Sequence, residues 1–129
     1  MNRQIAPSSI AAPAANYALA VHSENVTAWL HTSGIVGARP DGSIPTDVGE
    51  QAEVIWSSLQ ALLAEAGMVP GDVVSIITYV VVDHLSVLPQ VMAARDRALQ
   101  GHRVASTLVT VPALARPEWK VEIALVAAR

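Results

Sequence analysis

Between Thr46 and Gly67 the apolar residues Val48, Ala52, Ile55, Trp56, Leu59, Leu62 and Leu63 recur at spacings of three and four, which places them on one face of a helix. The period predicts a helix over residues 47–66. Thr46 is the expected N-cap, and Asp47, Glu50 and Glu53 lie near the positive end of the helix dipole. Gly67 suits the position just past the helix, and Pro70 blocks continuation. Residues 72–83 read Asp-Val-Val-Ser-Ile-Ile-Thr-Tyr-Val-Val-Val-Asp, β-branched almost throughout and apolar at odd and even positions alike. That is the pattern of a strand buried on both faces. Pro89 fits the first turn of a second helix running to Gln100, with Val91, Ala94, Arg95, Ala98 and Leu99 on facing turns and Gly101 at its end.

Weaker patterns fill the rest. Residues 1–16, with Pro7 and Pro13 among Ser and Ala, have no period and read as an extended lead-in. Strands are expected over 17–22 and 27–32, joined as a hairpin through the polar stretch 22–25. A long loop follows from Gly34 to Pro45, with Asp41-Gly42 as a turn of its own. Two last strands, 105–111 and 120–127, flank the loop 112–117. The order β-β-α-β-α-β-β predicts a single α+β domain over residues 1–129, a mixed sheet with both helices on one face. Two helices cover one side only. The other side of the strand at 72–83 therefore needs a partner, and the same face of further copies in a closed ring supplies one.

Composition strengthens that expectation. Of 129 residues 52% are hydrophobic and only 15% charged, well below the ~25% charged residues of an average soluble domain. Eight basic against eleven acidic residues give a net charge of −3, and no basic run is present, so no nucleic-acid partner is expected. The absence of cysteine excludes disulfides, thiolate nucleophiles and zinc–thiolate sites, and is compatible with a cytoplasmic protein. Apolar runs are too short to span a bilayer, so no membrane partner is expected. His22, His31, His84 and His102 show no metal-binding spacing, and Asp47, Glu50 and Glu53 read as a solvated helix face. No Gly-x-Ser-x-Gly elbow, phosphate loop or dinucleotide fingerprint occurs, so neither metal nor cofactor is expected.

A set of short marks runs in order along residues 5–129. Ala15-Asn16-Tyr17 feeds the first strand, Thr32-Ser33-Gly34 closes the second, and Asp41-Gly42-Ser43-Ile44-Pro45 precedes Gln51-Ala52. Ala66-Gly67-Met68 then leads to Gly71-Asp72-Val73-Val74, followed by Ala105-Ser106-Thr107 and Val121-Glu122-Ile123. In this order and spacing the chain resembles the Rid (reactive intermediate/imine deaminase) superfamily, also named for its YjgF-type members. The resemblance implies a chorismate-mutase-like α+β subunit that forms a homotrimer with ligand clefts between neighbours. In the best-known branch those clefts hydrolyse enamines and imines to keto acids and ammonia. There an arginine just before the Ser-Thr pair grips the substrate carboxylate, and a second glutamate on the last strand helps position water. A tyrosine, carried over to Tyr17, is implied to enter from the neighbouring subunit.

This sequence departs at both charged positions. Ala105 stands at the arginine position and Ala124 at the glutamate position, while Met92 replaces an asparagine common on the second helix. An arginine fork makes two charge-assisted bonds to a carboxylate, and alanine makes none. The cleft expected from the resemblance therefore contains Tyr17, Ser33, Gly34, Met92, Arg103, Ala105, Thr107 and Ala124, and is wider and less polar. Arg103, two residues before Ala105, and Arg116 in the last loop are candidates to replace the missing arginine, against the plainer reading of solvated surface side chains. The expected function is a trimer binding a small metabolite, whether or not it acts as a divergent enzyme on enamine, imine or carbonyl compounds. A non-catalytic metabolite-binding or chaperone-like homologue is the alternative. The endoribonuclease activity reported for some relatives fits poorly with an acidic chain.

Overall fold

A computed structural model describes all of residues 1–129. Its elements are β1 (Asn2–Ile5), β2 (Ala20–Ser23), β3 (Trp29–His31), β4 (Ile35–Val36), α1 (Val48–Glu65), β5 (Val73–Val81), α2 (Leu88–Ala98), β6 (Ala105–Val111) and β7 (Val121–Ala128). A 3-10 turn, Pro70–Asp72, precedes β5, and a six-residue 3-10 stretch, Val82–Val87, kinked at His84, precedes α2.

The helical period becomes α1, with Val48, Ala52, Ile55, Trp56, Leu59 and Leu63 buried along one side as expected, whereas Leu62, expected on the same face, turns out to solvent. Its cap is Asp47 and not Thr46, because the Asp47 carboxylate accepts the Glu50 N–H at 2.9 Å. At the other end Gly67 takes φ +69°, its N–H bonds Ala64 O, and Met68 N–H bonds Leu63 O. This pair of bonds satisfies two of the last free carbonyls. α2 carries Pro89 in its first turn. It closes through Gln100 as well as Gly101, both at positive φ, where Gly101 alone was expected.

The main sheet runs β6-β5-β7-β3, with β4 pairing β7 beside β3. β5 and β6 are parallel, whereas β7 is antiparallel to β5, β3 and β4. The mixed α+β sheet is thus as predicted. The expected N-terminal hairpin is not formed. β2 begins at Ala20 and pairs with β1, a strand that the absence of any period in the lead-in concealed, while β3 pairs with the C-terminal strand instead. Asn2 Nδ2 fixes that arrangement by donating to Ala128 O at 2.8 Å.

One hydrophobic core lies between the helices and one face of the sheet. Leu59, Ile55, Val91 and Ala94 meet Ile76, Val80, Val121, Ile123 and Leu125 there. Gln51 is 1% exposed within it and fully used. Its Nε2 donates to Pro45 O (2.8 Å) and Glu118 O (3.0 Å), and its Oε1 accepts Lys120 N–H (3.0 Å). One buried amide therefore ties α1 to the loop before it and to the loop entering β7.

Candidate functional site

Strand alternation sends every second residue of β5, β6 and β7 to the face away from the helices. Register then aligns those residues in rows. Ala105, Ser75, Val126 and His31 form one row; Thr107, Ile77 and Ala124 the next; Val109, Tyr79, Glu122 and Val36 a third. Ser106 falls on the helix side, so Thr107 is the hydroxyl presented to the open face. Ile77 is 40% exposed in the middle of this face, Val109 38% at one edge, and Trp29 56% near the other. Trp29 stacks on His31 with ring centroids 6.1 Å apart.

Ala105, Thr107 and Ala124 thus share a face of the sheet but not a cavity wall. Thr107 and Ala124 are separated by β5, and Ser33 and Gly34 lie one strand further on, between β3 and β4. At the usual strand spacing of ~4.8 Å those steps put β6 roughly 10 Å from β7 and roughly 14 Å from β4. Gly34 sits against Glu122, whose carboxylate occupies the space a side chain would need. It also lines an apolar groove of about 530 Å³ with Ile35, Val36, Ala38, Ala61 and Leu62.

The opposite edge gathers Tyr17, Met92 and Arg103. Ala18 bridges Ala105 and donates its N–H to Val104 O at 2.9 Å, so Tyr17 belongs to the same edge as Ala105 within one chain. The Tyr17 hydroxyl accepts the Ala14 N–H at 3.3 Å and folds the lead-in around the ring. β6 begins only at Ala105, so strand alternation does not govern Arg103. Its guanidinium turns instead to Asn16 Oδ1 (3.2 Å) and borders a groove of about 520 Å³ that Met92 also lines. Arg116 is elsewhere, over the Trp119 ring at 5.3 Å, and does not join this set.

That groove contains three polar residues the sequence did not single out for a site: Asn16, Arg95 and Asp96. Arg95 was visible only as an inward position of the second helix. It is 4% exposed, and its Nε and Nη2 both donate to Asp96 Oδ1, at 3.0 and 2.9 Å. The partner that completes the cluster, Asn16, is 80 positions from Asp96 in the chain, a proximity no local pattern signals. The titration shift that stands out lies away from both edges, in the Asp41-Gly42 turn. There the Ser43 hydroxyl and then the Ser43 backbone N–H, with Arg39 adding attraction, hold the Asp41 carboxyl below its usual value. No group of three or more His, Asp or Glu side chains is arranged to hold a metal, and no helix is long and apolar enough to cross a membrane.

Comparison with known proteins adds the following. The model of the family described as Endoribonuclease L-PSP matches residues 8–129. No curated protein matches the chain. A Yersinia pestis structure, YyfB of the conserved Rid protein family, is 28% identical, with a TM-score of 0.88, covering 99% of this chain and 98% of its own. The YjgF gene product from E. coli is 27% identical, with a TM-score of 0.70 and 98% of each chain covered. E. coli TdcF, whose structure holds serine, shares the fold at 21% identity, a TM-score of 0.72 and 98% coverage of each chain.

Proposed function

The chain belongs to the Endoribonuclease L-PSP family, that of the Rid and YjgF proteins, and from that premise we propose that it binds a small metabolite in clefts between copies of itself, as a homotrimer, without the arginine-dependent hydrolysis of imino acids. The observation that carries this reading is the split of the expected site across one sheet. Tyr17, Met92, Arg103, Ala105 and Thr107 lie at or beside β6, whereas Ser33, Gly34 and Ala124 lie on or beyond β7. The sheet's own width keeps the two groups apart within a chain. Two copies in contact bring one group against the other.

The open face supports the same reading. Ile77 and Val109 lie there among other apolar side chains, with no helix over them, and burial of such a face is favourable at ~25 cal/mol per Å². The chemistry of the cleft follows from its residues. Ala105 and Ala124 offer no charge, Thr107 a hydroxyl, and Tyr17 a phenol and a ring face. A cleft of this kind lacks the carboxylate grip and the water-positioning carboxylate at the two family positions, and its one arginine, Arg103, is turned to Asn16. TdcF with bound serine shows that a relative of the same fold takes a molecule of amino-acid size.

The test is ammonia release from an imino acid generated in place by an amino-acid oxidase, alongside light scattering on the same sample. The expected result is release no faster than in buffer, from a particle three times the 13.6 kDa chain. Acceleration would defeat the chemical half of the proposal. A monomer would defeat the cleft.

A further inference from the structure

The parallel strands β5 and β6 end side by side at Val81 and Val111, and this is the end of a parallel sheet at which open α/β folds hold their ligands. A small cavity of about 90 Å³ lies there, between the loop 112–117, the first residues after β5 and the start of β7. Every residue of its wall comes from one chain, and none belongs to the cleft proposed above. Its polar side chains are Asp83, Arg116, Trp119 and Lys120.

The three charged groups converge without pairing. The ion pairs of the chain join His22 to Glu24, Arg39 to Glu50, Arg95 to Asp96 and Arg97 to Glu53, all of them elsewhere. Trp119 adds an indole N–H that is enclosed and has no acceptor. A donor left so is costly, and an oxygen drawn into this wall relieves it. The side chains are also held from behind. The Arg116 guanidinium lies 5.3 Å over the Trp119 ring, and the Trp119 backbone N–H donates to Arg116 O at 3.1 Å. Lys120 is tied at both ends of its backbone, its N–H to Gln51 Oε1 and its carbonyl to the Val81 N–H, each at 3.0 Å.

Two cations against one carboxylate leave a net positive charge, so the wall suits an anion. The cavity has room for a few waters or one tetrahedral oxyanion, and none for a nucleotide. Asp83 decides the chemistry. A carboxylate only accepts hydrogen bonds, so Asp83 repels sulfate and carboxylate ligands, which have no hydrogen to give at neutral pH. We infer that this cavity binds inorganic phosphate, with Arg116 and Lys120 donating to its oxygens, Asp83 accepting from its P–OH and the Trp119 indole in the wall beside it. A phosphate monoester fits less well, since its second ionisation at about pH 6 removes the hydroxyl.

The indole N–H signals of Trp29, Trp56 and Trp119 in the NMR spectrum of the full chain test the inference, the last identified by its loss in Trp119→Phe. Phosphate is expected to shift the Trp119 signal saturably and to leave the other two unmoved, whereas sulfate and acetate leave all three in place. Arg116→Gln changes an exposed side chain and should weaken the phosphate response roughly tenfold or more. Asp83→Asn, also exposed, gives the wall an amide that donates, and should narrow the preference for phosphate over sulfate by roughly tenfold. Equal response to phosphate and sulfate would mean an adventitious ion only and would overturn the assignment. So would a Trp119 signal that phosphate does not move, unchanged affinity in Arg116→Gln, or an unchanged preference in Asp83→Asn. If either variant loses the dispersed spectrum of the folded chain, the comparison of phosphate with sulfate on the wild type decides alone.

Discussion

The two faces of the central sheet are built from the same strands and differ in what lies over them. On one face Ile76, Val80, Ile123 and Leu125 meet two helices and are buried within a single chain. On the other, one residue along each strand, Ile77, Tyr79, Glu122 and Ala124 have no helix above them, and Ile77 is 40% exposed. Strand β5 is nonetheless apolar on both sides. The lesson is that a single chain accounts only for the strand face its own helices reach, and the apolar surplus of the other face is what the proposed assembly would cover.

The largest expected effect separates the two faces directly. Leu59→Ala, from the centre of α1, should lower the unfolding free energy by ~2–5 kcal/mol through a cavity that the surrounding core cannot close, at every protein concentration and with the assembly intact. Ile77→Asp should leave the far-UV circular dichroism of the chain unchanged, yet abolish any dependence of Tm on protein concentration and reduce the scattering mass to one chain. An Ile77→Asp protein that still assembles would show that the open face is not where copies meet.

How much of this was legible beforehand follows the same division. α1 was readable because its period and its core face are local; only the cap moved, from Thr46 to Asp47, since the two neighbours carry equivalent oxygen acceptors and backbone geometry decides between them. β5 was readable from its β-branched run, and β6 and β7 were expected as strands on either side of the loop 112–117. β1 was not, because Asn2, Arg3 and Gln4 are polar and the strand is fixed by an Asn2 bond to Ala128 at the far end of the chain. The hairpin failed for the same reason: turn chemistry suggested that adjacent strands pair, but long-range pairing with β7 captured β3. The positions proposed for the site came from the resemblance alone. Its division between two sheet edges, and the line from Arg103 through Asn16 and Asp96 to Arg95, depend on contacts across as many as 87 residues.

A pair of glycines sharpens the contrast at smaller magnitude. Gly37 lies against α1, where an added Cβ would stand 2.8 Å from Gln51 Cβ and 2.9 Å from Gln51 Cα. Helix backbone cannot step aside, and Gln51 is itself held by three hydrogen bonds. Gly37→Ala should therefore cost ~1–3 kcal/mol in urea unfolding. Gly34 on the other side meets the Glu122 side chain, with Cδ at 2.6 Å and Cγ at 2.9 Å from the added carbon. That side chain can rotate outward, so Gly34→Ala should stay within ~1 kcal/mol. The reverse order would mean that Glu122 is locked in place and the open edge is as rigid as the core.

The smallest effect belongs to a place that neither face touches. Asp41 is fully solvated in its turn, with Oδ1 accepting the Ser43 N–H at 2.9 Å and the Ser43 hydroxyl at 2.7 Å. Because these bonds favour the ionised carboxyl, its pKa is lower in the folded chain than in the unfolded one, where it is near the usual ~3.9. The stabilisation is then complete above that value and is lost as pH falls through the lowered folded pKa. Asp41→Asn keeps the acceptor oxygen and removes only the charge. Its deficit against the wild type in urea unfolding should be slight near neutrality and should shrink on acidification below the ordinary carboxylate range. A deficit exceeding that of Gly37→Ala, or one that grows as pH falls, would mean that this turn governs the covered face through Pro45 and Gln51 and is not a solvated loop feature.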